Sequence, residues 1–153
     1  MLKHNEICEL IPHAGEMCLL DSVKNWDEEH IVCTANTHRS MSNPLRNDKG
    51  LPMLSLVEYA AQAIAVHGCL SAANNLFIKK GVLAALRDVQ VAPGWLSDIE
   101  AEIEISARRV YVEAGSMIYT ISASAASNGD TLDKQVKKML ASGRATVMAE
   151  FSN

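Results

Sequence analysis

From Ile99 to Ile105 the chain reads Ile-Glu-Ala-Glu-Ile-Glu-Ile, apolar and acidic by turns. That period of two predicts a half-buried strand with Glu100, Glu102 and Glu104 facing water. Apolar runs at Met17–Val23 and His30–Thr37 predict two paired strands across a turn near Asp27-Glu28-Glu29. Val82–Val91 predicts a further strand, broken at Pro93-Gly94. Met117–Ala125 predicts another, followed by a turn at Asn128-Gly129-Asp130, and Met139–Phe151 predicts the last.

Between the two groups of strands the pattern changes. His38–Gly50 is polar, carries Pro44 and Gly50, and predicts a loop long enough to be functional. Leu51–Ala73 is the longest apolar stretch. Pro52 suits a first-turn position, and the Ala- and Leu-rich segment Met53–Gly68 predicts a helix that Ser71–Lys80 completes or follows. Apolar residues lie all round this helix, so it is expected to be buried on most sides. It also contains Glu58, Gln62 and His67, which favours a core helix over a membrane span.

The order of two strands, a loop, one greasy helix and four strands predicts an α+β domain over residues 1–153. An antiparallel sheet would wrap around one central buried helix. Such a sheet leaves two edges, and subunit pairing along an edge is the expected remedy.

Composition narrows the function classes. The 153 residues are 48% hydrophobic and 21% charged, with a formal net charge of -4. No basic stripe is present; Lys134, Lys137 and Lys138 predict one solvated loop or turn. Nucleic acid is therefore not the expected partner. Cys8, Cys18, Cys33 and Cys69 form no CxxC pair, and no His cluster completes a zinc site, so all four are expected as reduced thiols in a cytoplasmic protein. Ser55 lacks the setting of a serine nucleophile. Trp26 and Trp95 are expected to be partly buried packing residues.

Glu58 carries the most chemical information. A charged group is rarely buried without a partner, and desolvation would shift a carboxyl toward proton transfer near neutral pH. Gln62 lies four positions on, along the same helix face. The bland alternatives are that Glu58 reaches solvent or pairs with Arg46 or Arg87. His67 is expected to be a satisfied core or interface histidine rather than a base.

Three segments carry a family resemblance. Ile11-Pro12-His13 with Met17-Cys18-Leu19-Leu20-Asp21-Ser22-Val23 resembles the opening stretch of the β-hydroxyacyl-acyl-carrier-protein dehydratases. Leu51-Pro52 with Leu56-Val57-Glu58-Tyr59-Ala60-Ala61-Gln62-Ala63 resembles their central helix, and Leu140–Thr146 their last strand. Over residues 11 to 148 the chain is most similar to the branch of predicted 3-hydroxyacyl-acyl-carrier-protein dehydratases associated with aryl polyene pigment pathways.

That resemblance implies the hot-dog fold, a dimer with sites at its interface, and dehydration of a 3-hydroxyacyl thioester to the trans-2-enoyl thioester. Proton transfer and N–H dipoles suffice for this elimination, so no cofactor and no metal are expected. The expected partners are an acyl carrier protein or its phosphopantetheine-linked substrate, and a second hot-dog subunit, identical or different. In the family a His removes the α-proton, a helix carboxylate helps the 3-hydroxyl leave, and N–H groups at the helix start face the thioester carbonyl. Glu58 corresponds to the carboxylate, with Gln62 holding it. Substrate binding falls on Asn43, Arg46, Pro52, Met53 and Leu54, where Arg46 and Lys49 could attract a phosphate or an acidic carrier.

The family's catalytic His has no counterpart in Asn43–Pro52. Three sources could replace it: His38 at the start of the loop, His13, which matches a His with a structural role in the family, or a partner subunit. Two rival functions follow: a hot-dog acyl thioesterase that uses Glu58 to activate water, and a catalytically silent subunit of a His-bearing partner.

Overall fold

The structure is a computed structural model that describes residues 1–72, 77–126 and 136–152. In chain order its elements are β1 (Leu2–Lys3), α1 (His4–Leu10), β2 (Ser22–Trp26), β3 (His30–Ala35), α2 (Leu56–Ser71), β4 (Phe77–Val91), β5 (Ile103–Glu113), β6 (Ser116–Ala126) and β7 (Lys137–Ser152). Among the described residues the strands form one seven-stranded antiparallel sheet in the order β1-β2-β3-β5-β6-β7-β4.

Alternation along the strands explains how the sheet wraps α2. Along β6, Met117, Tyr119, Ile121, Ala123 and Ala125 are buried while the residues between them are not. Ile31 and Cys33 of β3 and Ile103 and Ile105 of β5 continue that inner face. Against it α2 packs Leu56, Tyr59, Ala60, Ala63, Ile64 and Val66. Fully burying an aliphatic side chain of this size stabilises by about 1.5–3 kcal/mol, so Ile64→Ala should cost about 2–5 kcal/mol. By length and composition alone Met53–Ser71 could cross a membrane. Here it is the core helix of the sheet, in contact with β3, β4, β5, β6 and β7.

Turn chemistry fixes the register. Asp27 Oδ1 accepts the backbone N–H groups of Glu29 and His30 at 2.8 and 2.9 Å, closing the β2–β3 turn at the expected place. Ala114 and Gly115 both have positive φ, 42° and 84°, as a two-residue hairpin between β5 and β6 requires. Gly50 has φ +133°, and a Cβ there would lie 2.6 Å from Ser97 Oγ, the atom that accepts the Leu51 N–H. A side chain at that position would push apart the loop that leads into α2.

Several elements differ from the sequence expectation. The polar N-terminus forms β1 and α1, neither of which was expected. The strand foreseen at Ile99 begins at Ile103 because two carbonyls before it are taken by side chains. Ile99 O accepts from His38 Nε2 at 2.8 Å, and Glu100 O from Arg39 Nη1 at 3.1 Å. Helix α2 stops at Ser71, so Ser71–Lys80 does not extend it and β4 is under way by Phe77. Cys18, Leu19 and Leu20 are buried outside any strand. Lys137 opens β7 and, with Lys24, pairs with Glu104, which is thus not simply solvated. Trp26 is exposed. The turn at Asn128-Gly129-Asp130 and Lys134 lie outside the described residues.

The cysteine expectation is also corrected: Cys8 and Cys18 form a disulfide. Sequence spacing gave no hint of this, because α1 has to fold back over the segment before β2 to bring the sulfurs together. Cys33 carries a thiol that burial pushes up to about 12, which keeps it protonated and inert.

Candidate functional site

The site forms where the segment between α1 and β2 crosses α2. Helix α1 ends at Leu10 and is capped by Ile11, whose N–H donates to Ile7 O, and the chain then runs through Pro12 and His13 to a short turn at Gly15–Met17. Gln62, fully buried on α2, anchors that segment. Its Nε2 donates to Met17 O at 2.6 Å, and its Oε1 accepts the Leu19 N–H at 2.9 Å. A buried amide satisfied in this way fixes both elements.

One turn earlier on α2, Glu58 faces the same segment. Its Oε1 lies 3.1 Å from His13 Nε2 and 3.2 Å from Gln62 Nε2. Both donors reach the same oxygen, so Oε2 has no protein partner among the described residues. The two side chains are 28% and 33% exposed, His13 and Glu58 respectively. Glu58 is therefore neither the deeply desolvated carboxyl that the helix pattern suggests nor the partner of Arg46 or Arg87. With Nε2–H directed at Glu58, the other ring nitrogen of His13 holds a lone pair. That Nδ1 is buried and has no hydrogen-bond partner among the described residues.

The pair borders a hollow of about 150 Å³. Ala61 and Ile64 of α2, Leu83 of β4, Met117 of β6 and Val147 of β7 line it. Imidazole and carboxylate at one end of an apolar slot suit a substrate with a polar reacting centre and a hydrocarbon tail. A larger hollow of about 400 Å³ runs along His4, Glu16, Cys18, Ser42 and Asn43. Neither His13 nor Glu58 lines it, so the smaller one is the candidate active site.

The other predicted residues are placed elsewhere. His38 is buried with Nε2 on the Ile99 carbonyl, and its pKa is held below the usual value chiefly by burial. It supports the loop and does not line the hollow. Asn43 is buried too: its Nδ2 donates to Tyr59 Oη at 3.1 Å and to Thr37 O at 3.0 Å, while Oδ1 accepts the Leu45 N–H. Arg46 donates from Nε to Ser40 O at 2.9 Å. Pro52, Met53 and Leu54 form the entry turn of α2, half-buried, buried and exposed in that order. None of Asn43, Arg46, Pro52, Met53 and Leu54 lines the His13–Glu58 hollow. His67 is a satisfied core histidine: Nε2 donates to Asp27 O and Nδ1 accepts from Tyr119 Oη, both at 2.8 Å.

Sequence reasoning missed the backbone anchors at Met17 and Leu19. The signal was present in Gln62, a bulky amide in an otherwise apolar helix that needed partners. It also missed the apolar wall from β4, β6 and β7, which no local pattern could assign to Glu58.

No curated protein matches the chain. Among solved structures, the dehydratase heterocomplex ApeI:P from Xenorhabdus doucetiae matches at 22% identity and TM-score 0.73, over 94% of this chain and 90% of that one. A thioesterase from Haemophilus influenzae matches at 11% identity and TM-score 0.64, over 98% and 92%. A hypothetical thioesterase from Streptococcus pneumoniae, solved with coenzyme A, matches at 11% identity and TM-score 0.52, over 84% of each chain. These likenesses show the fold, which is the hot-dog sheet wrapped on a central helix. The family model described as ApeP dehydratase matches residues 5–151. With nearly the whole chain covered, the conclusion is that this chain belongs to the ApeP-like dehydratase family.

Proposed function

We propose that this chain dehydrates a 3-hydroxyacyl thioester carried on an acyl carrier protein, with His13 and Glu58 as its acid–base pair. The observation that supports this reading is the 3.1 Å contact between the two side chains at the end of an apolar slot. Elimination of water needs one group to take the α-proton and another to protonate the departing hydroxyl. The imidazole of His13 and the carboxyl of Glu58, both partly exposed beside the slot, are the two groups for these tasks. The imidazole takes the α-proton, the C–O electron pair leaves with the hydroxyl, and the carboxyl gives that oxygen its proton. Water and the trans-2-enoyl thioester result. One turnover leaves an imidazolium and a carboxylate, and the pair resets when the imidazolium loses the α-proton to solvent and the carboxylate regains a proton from it. Gln62 keeps the Glu58 carboxyl facing the slot, which holds the acyl chain. On this reading the imidazole absent from the loop before α2 is supplied from the N-terminal segment of the same chain.

Pairing with a second hot-dog subunit, identical or different, belongs to the same reading. Strand β4 is an edge of the sheet, and Val82, Leu83, Leu86 and Val91 along it are exposed. A long apolar edge with unpaired N–H and C=O groups is a surface that another strand covers. Leu83 also lines the hollow, so a partner there would wall the site from outside.

The test is to incubate the purified protein with a 3-hydroxyacyl carrier-protein thioester and with its saturated analogue. Loss of water from the first, with no free thiol released from the second, supports the reading. Thiol release from the saturated substrate would assign hydrolysis instead. Turnover that needs an added hot-dog subunit and survives Glu58→Gln would make this chain a silent partner.

A further inference from the structure

We propose that Cys8 and Cys18 form a thiol–disulfide exchange centre that reacts with low-molecular-weight thiols and disulfides and positions His13. The effect on dehydration rests on the function proposed above; the exchange chemistry does not.

The position of the disulfide couples it to the pair. The bond joins residues ten apart, and His13 lies midway in the loop it closes. Pro12, Ala14, Gly15 and Glu16 in that loop are exposed, and its backbone-to-backbone bonds outside α1 are local: Ile11 N–H to Ile7 O, Met17 N–H to Ala14 O and Cys18 N–H to Gly15 O. Cys18 stands between Met17 and Leu19, the two residues that bond Gln62. Gln62 in turn bonds Glu58, and Glu58 meets His13. The disulfide therefore braces both ends of the acid–base pair. Without it, that end of the loop is held by α1, seven residues long with Ile7 as its buried residue, by the buried Ile11 and by the Cys69 Sγ–H bond to Leu10 O at 3.2 Å.

The surroundings of the two sulfurs suit exchange chemistry. The two sulfurs are unequal: Cys8 is half-buried and Cys18 is buried. His4 is one helical turn before Cys8, and its Nε2 lies 3.5 Å from the Cys8 sulfur. His4 Nδ1 donates to Leu20 O at 2.7 Å, so in the neutral ring the lone pair is on Nε2, facing the sulfur. In the dithiol form that nitrogen accepts the Cys8 proton and leaves a thiolate, the nucleophile of exchange. The thiolate attacks a small disulfide, RS–SR. It forms a mixed disulfide on Cys8 and releases RS⁻. The Cys18 thiolate then attacks the Cys8 sulfur and releases the second RS⁻. Two protein thiols are oxidised, one small disulfide is reduced, and the two protons end on the two released thiols. The reverse sequence, started by a small thiol at Cys8, opens the loop.

The experiment equilibrates the full chain with glutathione at a series of reduced-to-oxidised ratios, then traps thiols by alkylation and reads them by mass spectrometry. Cys8 and Cys18 should interconvert together while Cys33 stays unreacted in the folded protein. Cys18→Ser should carry glutathione on Cys8, Cys8→Ser should carry none on Cys18, and His4→Asn should slow exchange several-fold. Reduction of the wild-type chain should shift the His13 ring and Gln62 side-chain NMR signals with the fold kept. It should also lower kcat about tenfold with little change in KM, as expected for a misplaced acid–base pair.

The proposal is overturned if the pair never interconverts, if glutathione settles on Cys18, or if His13 and Gln62 signals ignore the redox state. It is equally overturned if the reduced protein takes up one zinc ion that His4→Asn loses, which would make His4, Cys8 and Cys18 a metal site. Interconversion with shifted signals but no dehydration in either state would support the exchange centre and refute the proposed function.

Discussion

His13 Nε2 stands 3.1 Å from Glu58 Oε1 although 45 positions separate the two residues. The contact depends on α2 for one partner and on an irregular crossing segment for the other. Those two supports differ in kind, and each makes its own prediction.

Removing either member of the pair should abolish turnover without unfolding the chain. Glu58→Gln and His13→Ala are each expected to lower kcat by about 10²–10⁴-fold, the usual contribution of a positioned acid or base. The double variant should be little worse than the singles, because the two act as a unit. Circular dichroism and thermal melts verify the fold. A His13→Ala protein with undiminished kcat would sink the assignment of the base.

Gln62 should matter to stability and activity together. Gln62→Leu leaves the Met17 carbonyl and the Leu19 N–H without their partner in a buried setting, at a cost of about 1–3 kcal/mol for each group stranded. Urea unfolding should show the loss, and kcat in the folded fraction should fall as Glu58 loses one of its two donors. Equal stability in variant and wild type would mean that the crossing segment is anchored by other contacts.

His38 and His67 should make the protein acid-sensitive. Burial is the largest cause holding both pKa values below the ordinary 6.5. Below that value the unfolded chain binds more protons than the folded one, so unfolding gains on acidification. The stability these neutral rings confer is complete above about 6.5 and is lost as pH falls toward their folded-state values. The urea midpoint should drop between about pH 7.5 and about pH 5, and His38→Asn should make that drop shallower. A flat profile over that range refutes the linkage.

Strand β4 should govern association. Leu83→Lys and Leu86→Glu each place a charge on the exposed apolar edge, and either should shift the chain toward the monomer in analytical ultracentrifugation. Charges at Val110 or Val112, which are exposed on β5, should leave association unchanged.

What could be read ahead of the structure followed periodicity. Alternation over Ile99–Ile105 pointed to β5, and the all-round apolar character of α2 gave that helix and the sheet around it. Beyond Ala107, β5 shows no such signal, because Val110, Tyr111 and Val112 are all exposed and their alternation serves no buried face. Helix α1 was invisible for a related reason: a single buried residue, Ile7, leaves no stripe to detect. The site was legible only in part. Glu58 and Gln62 share a helix face, which spacing reveals. His13 reaches them through a loop whose course depends on Cys8 and Cys18, and no local rule specifies that path.

The two borders of the sheet are very unequal. Strand β1 spans two residues, Leu2–Lys3, while β4 spans fifteen. If two copies meet β4 to β4, each long border is used up, and what remains outward is a stub too short to template another strand. Growth into a filament therefore has nowhere to continue, and this fold can carry a sticky apolar margin without the polymerisation hazard that such a margin ordinarily brings.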